Sequence, residues 1–139
     1  MKDTNLQLFL NSLSHEQHVM YYLEKMDIKK LNQILDNIEY QNYNKNEFLK
    51  LLTIVFNTFK NRGNTKLISS VGKCIACKFG HKAYYLKGDK DGSHLEILIE
   101  IKNNRVFNIR ECNSFESNTE SKIDFKKRIY IDERKYKLN

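Results

Sequence analysis

Cys74 and Cys77 are separated by two residues in a C-x-x-C arrangement, and His81 follows four positions later. Two thiolates at that spacing can reach one tetrahedral zinc ion when the backbone turns between them. His81 is the nearest side chain able to complete such a site, with Cys112 and His94 as remoter donors. Lys73, Lys78 and Lys82 would offset the negative charge of a thiolate-rich centre. A full zinc signature has two such pairs, and this chain has one. The same cysteines also fit a redox dithiol, in which the first thiol opens a helix and is acidified by the helix dipole. Here the pair leads into Gly80-His81 and a strand-like run, without a βαβ pattern around it. A third reading, two small half-buried thiols at the start of a sheet, needs no chemistry.

A second candidate lies near the C-terminus. Lys126, Lys127 and Arg128, followed by Arg134, Lys135 and Lys137, are interleaved with Tyr130 and Tyr136. Basic and aromatic side chains in alternation can grip a nucleic-acid backbone and stack bases. Asp124, Asp132 and Glu133 interrupt the run, and lysines also protect an edge strand from aggregation. Net charge is +7, of which residues 1–65 contribute +1 and residues 66–139 contribute +6. A basic half attracts nucleic acid or an acidic protein, or is a solvated face.

Other constellations read as ordinary surface. His15-Glu16-Gln17-His18 spaces its histidines at i and i+3, not the i and i+4 of a zinc-peptidase helix, and reads as two surface histidines in a first helical turn. Glu96 and Glu100 would stand ~13 Å apart along a strand, beyond a glycosidase pair, and read as solvent-facing charges. The chain has no G-x-G-x-x-G, Walker or G-x-S-x-G motif.

The elements that must position these residues change period at mid-chain. Leu6, Phe9, Leu10 and Leu13 recur with helical spacing. Ser14 with Gln17 forms a capping box ahead of a helix from His15 to Met26, and Asp27 caps the next, with its stripe on Ile28, Leu31, Leu35 and Ile38. Asn44 with Glu47 opens the strongest helix, whose stripe is Phe48, Leu51, Leu52, Val55, Phe56 and Phe59, and Gly63 supplies its left-handed stop. From Lys82 the apolar residues alternate instead. Strands are expected over 82–87, 95–101 and 106–110, with a last one carrying Ile123, Phe125, Ile129 and Ile131. For the Asn103-Asn104 turn, a three-residue loop with Asn104 left-handed sets Ile99 against Phe107, Ile97 against Ile109 and Glu96 against Arg110.

The expected fold is therefore α+β, with N-terminal helices packed on a C-terminal antiparallel β-meander of about four strands. One domain over 1–139 is expected, with a helical half (1–63), a cysteine loop and sheet (64–132) and a charged tail (133–139). In element order alone it resembles the NTF2-like and cystatin-like architectures, and no functional motif accompanies that resemblance. Three cysteines are an odd number, no signal peptide is legible, and no run of ~18 apolar residues occurs, so a cytoplasmic, reducing setting is expected. The leading functional reading is a small non-catalytic protein-interaction module, of inhibitor or immunity type, with a protein partner and no membrane. The alternatives are a zinc-supported nucleic-acid-binding domain, with Cys74, Cys77 and His81 on zinc and Lys126, Lys127 and Arg128 on phosphate, and a thiol redox enzyme.

Overall fold

A computed structural model describes residues 4–74, 81–111, 115–116 and 127–131. The helices begin at the side chains that can cap them. After α1 (Thr4–Asn11), Ser14 accepts the Gln17 N–H while the Gln17 side chain accepts that of Ser14, closing the capping box of α2 (His15–Glu24). Asp27 accepts the Lys30 N–H to start α3 (Ile28–Ile34), and Asn44 accepts that of Glu47 to start α4 (Lys45–Asn61). α4 buries Phe48, Leu52, Val55, Phe56 and Phe59 together with Leu49, while Leu51 is only partly buried. Gly63, at φ +90°, ends that run.

Two helical expectations are corrected. α3 stops at Ile34, and Leu35 turns extended, so Ile38 lies outside the helix and is exposed. The stop is stabilised from outside: Lys45 Nζ donates to Asn32 O and Leu35 O, and Asp36 is held by two hydrogen bonds from Arg105. α1 forms, but its Leu6, Leu8 and Phe9 remain exposed.

The chain then builds β1 (Leu67–Cys74), β2 (His81–Gly88), β3 (His94–Lys102), β4 (Arg105–Glu111) and the short β5 (Phe115–Glu116), in the order β4-β3-β2-β1-β5. The arrangement is α+β with an antiparallel sheet, as expected, but its membership differs. β1 occupies residues assigned to the cysteine loop, because L-I-S-S-V-G-K-C carries no clean alternation. Residues 127–131, expected in a final strand, make only a parallel bridge between Arg128 and His94, with the Ile129 N–H donating to His94 O. Ile129 and Ile131 nevertheless enter the core; Ile123 and Phe125 lie outside the described residues.

The β3–β4 register is corrected too. Asn103 and Asn104 both take positive φ, 54° and 63°, giving a two-residue turn that pairs Lys102 with Arg105 and Ile101 with Val106. A bulge then skips Phe107, so Glu100 faces Asn108 and Ile99 faces Ile109. The bulge lets Val106 and Ile109, three residues apart, both point into the core, whereas Phe107 stays outside. The loop that seemed needed to match apolar phases is replaced by one extra residue in the strand.

The sheet cannot be flat. β4 and β5 lie at opposite edges, four strand spacings apart, which a flat sheet would set about 19 Å apart. The four peptide steps from Glu111 to Phe115 span at most about 14 Å. α2 packs against both β1 and β4. A helix about 10 Å across can touch both only if the sheet curls around it.

Candidate functional site

The cysteine motif sits at one end of the β1–β2 hairpin. Its ladder runs from Leu67 opposite Gly88 to Gly72 opposite Ala83; Cys74 ends β1 and His81 opens β2. The next ladder sets His81 opposite Glu100. Among the described residues, no three histidine, cysteine, aspartate or glutamate side chains are placed to hold one metal ion. Cys77, Cys112 and Lys126 lie outside the described residues. Glu100 itself is bound by Arg110 Nε at 2.6 Å and Asn108 Nδ2 at 3.3 Å. Glu96, expected to meet Arg110, has other partners.

The basic run divides. Lys127 is exposed, and its Nζ donates to Asp91 O at 3.0 Å. Arg128 turns inward, with its side chain 5 % exposed and its guanidinium 4.6 Å from the centre of the Tyr130 ring. There its nitrogens stand 3.6 Å from Glu96 Oε1 and 4.0 Å from Glu111 Oε2. Glu96 is fully buried, so its reading as a solvent-facing charge is wrong. Its Oε2 is 2.8 Å from His94 Nε2, close enough for an ion pair though not aligned as a hydrogen bond. The His94 ring stacks on Tyr85 at 4.8 Å. The missed signal is Leu98, on the same strand face as Glu96: an apolar residue there shows that β3 is covered on both sides.

A second polar knot ties the end of α4 to the β2–β3 turn. Buried Asn64 donates to Phe59 O and Asp91 Oδ1, and accepts the N–H groups of Lys90 and Asp91. A Cβ at Gly88 would meet Asn64 Oδ1 at 2.4 Å, so that position needs glycine. Burial opposes ionisation of Asp91, but the Ser93 hydroxyl and N–H, Asn64 and Arg62 outweigh it and hold its carboxyl at about 2. Every donor and acceptor in this knot serves the turn.

The two sheet edges differ. On β4 the Val106 N–H donates to His15 Nδ1 at 2.9 Å, with the same ring bonded through Nε2 to Ile34 O. The Glu111 N–H donates to Gln41 Oε1 at 2.7 Å, and the Gln41 N–H to Asn108 Oδ1. Side chains thus cap this edge. His15, read as a surface histidine, is part of that cap. On β1, among the described residues, Ser69 is capped, its N–H and hydroxyl both donating to Glu24 Oε2, at 3.0 and 2.8 Å. Two residues on, the backbone of Val71 faces the same way, and Val71 is 73 % exposed. A groove at the start of β1 is lined by Tyr21, Glu24, Lys25, Lys66, Leu67 and Ile68. Lys25 Nζ lies 5.0 Å above the Tyr21 ring, whose edge meets Phe9. Ile68 and Phe9 are about half exposed, at 52 % and 50 %. Sequence reasoning missed this surface because an edge is a property of strand order.

No family model, curated protein or solved structure matches the chain. Among the described residues no helix is long and apolar enough to cross a membrane.

Arg128→Met should destabilise the fold by about 3–5 kcal/mol, because it removes a buried carboxylate's guanidinium. Lys127→Met should change it by less than about 0.5 kcal/mol. Urea unfolding measures both. Equal, small losses would mean that Arg128 is a surface cation.

Proposed function

We propose that the chain is a small non-catalytic protein-interaction module, of inhibitor or immunity type, that meets its partner at the β1 edge and the groove beside it. The observation that carries this reading is the contrast between the edges. One is capped by His15 and Gln41; on the other, among the described residues, Ser69 carries such a cap, Val71 is exposed, and Tyr21 and Ile68 line a groove. An open edge beside apolar side chains is the arrangement that strand-adding partners use, with backbone bonds for affinity and side-chain pockets for specificity. The odd cysteine count goes with a reducing, cytoplasmic setting for this activity. A photo-reactive residue at position 71 should cross-link a discrete partner protein in the cells that make this chain. One at Ile54, exposed on α4, should not. Equal labelling from both positions, or none from position 71, would contradict the reading.

A second reading, a zinc-supported domain that binds nucleic acid, rests on Cys74 ending β1, His81 opening β2 and Glu100 standing opposite His81. Cysteine, histidine and carboxylate are all zinc donors, and Cys77 is the fourth residue of suitable type nearby in sequence. The buried Arg128 removes one of the three cations assigned to phosphate, which weakens the nucleic-acid half of this reading. Protein purified without added metal should hold about one zinc per chain if the site exists, and Cys74→Ser should lose it. Metal-free, fully folded protein would end the second reading.

A further inference from the structure

We infer that His15 is an acid-operated latch: as a neutral ring it closes the β4 edge, and as a cation it releases the Val106 N–H. Two bonds fix the neutral form. Ile34 O can only accept, so Nε2, 2.8 Å away, carries the ring's single proton. Nδ1 is then the bare nitrogen, and it accepts the Val106 N–H at 2.9 Å. A second proton goes to Nδ1, where it meets the Val106 N–H donor to donor. Proton and strand bond exclude each other, so falling pH opens this end of the edge and rising pH closes it. The ring can keep its bond to Ile34 O in either form, so α2 stays fastened to the end of α3 while β4 is released. What opens is a strand-pairing position, next to the exposed side chain of Phe107.

The charges around the ring do not offset that loss. From β4, Arg105 brings Nη2 to 3.4 Å from Nε2. Beyond α3, Asp36 is close enough to feel the ring's charge, but two hydrogen bonds from Arg105 hold its carboxyl below the usual carboxylate range. Lys45, which opens α4, reaches the same turn at Leu35 O, and the Tyr40 hydroxyl donates to Asp36 O. On α2 itself, Glu16 is bonded by Lys82 and Tyr84, and His18 follows one turn on. Both carboxylates are thus already bonded to other cations. The second cap on this edge is indifferent to pH: Gln41 Oε1 accepts the Glu111 N–H at 2.7 Å, and an amide takes up no proton in this range. Only the Val106 end responds, and Glu111 serves as its internal reference.

Isotope-labelled full-length protein is read by NMR at about pH 7.5 and about pH 5, a span over which histidine changes charge and Asp36 stays ionised. At the higher pH the His15 ring should carry its proton on Nε2 and none on Nδ1. Going to the lower pH, the protection factor of the Val106 amide should fall about tenfold, and that of Glu111 should change by less than about twofold. His15→Asn sets a side-chain oxygen that takes no proton in place of Nδ1, and Val106 should then be protected alike at both pH values. A variant that leaves Val106 unprotected at both still supports His15 as the cap. A proton on Nδ1 at the higher pH, undiminished protection of Val106 at the lower, or parallel losses at Val106 and Glu111 would each overturn the inference. So would a His15→Asn variant that loses the protection of Val106 only at the lower pH.

Discussion

A β-sheet is unfinished at its edges, where each outward N–H and C=O needs a partner, and this constraint organises the molecule. The β4 edge is closed by side chains from the helical half. α2 begins with His15, whose ring spans from Ile34 O to the Val106 N–H. The Tyr40–Tyr43 turn holds Gln41 at φ 51°, a left-handed conformation that costs a non-glycine residue of order 1 kcal/mol. That strain is offset by what the conformation makes possible: Gln41 meets Asn108 through its backbone and Glu111 through its side chain. On the opposite edge, among the described residues, Glu24 on Ser69 is such a device, and Val71 is exposed.

Where β4 ends, the segment Lys127–Ile131 takes over the exposed side of β3. Its Ile129 N–H bonds His94 O, and Ile129 and Ile131 enter the core. Arg128 directly precedes Ile129 and its side chain is buried, with Glu96 and Glu111 within ion-pair reach. Such a pair is weak evidence of added stability, since desolvating the charges consumes most of the Coulomb gain. Its effect is on placement: only a segment carrying a cation at this position can lie against Glu96 without leaving a bare buried charge. The charge cluster therefore helps finish the β4 side of the sheet.

Much of the helical half was legible because caps and stripes are local. Ser14, Asp27 and Asn44 start the helices their side chains predict, and Phe56 lies on the buried face its spacing requires. Strands were harder. Leu67–Cys74 lacks alternation because past Leu67 neither face is deeply buried, with Ile68 and Val71 exposed, and the Phe107 bulge depends on core packing that no local pattern records. Of the candidate site residues, Cys74 and His81 were singled out by spacing and stand at the end of β1 and the start of β2, while Glu100 meets His81 only through the β2–β3 ladder. Arg128 read as a surface cation because its counter-charges, Glu96 and Glu111, lie far away in sequence. The β1 edge could not be read at all before strand order was known.

Side chains close the β4 edge, whereas on the β1 edge, among the described residues, Ser69 carries such a cap. Amide hydrogen exchange on the free, monomeric protein tests this contrast most directly. The Val106, Glu111 and Ser69 amides, which donate to His15, Gln41 and Glu24, should be protected, while the Val71 amide should exchange at close to the rate of an unstructured peptide. A Val71 amide as protected as that of Val106 would mean that the β1 edge is closed too, and the account would fail at its centre.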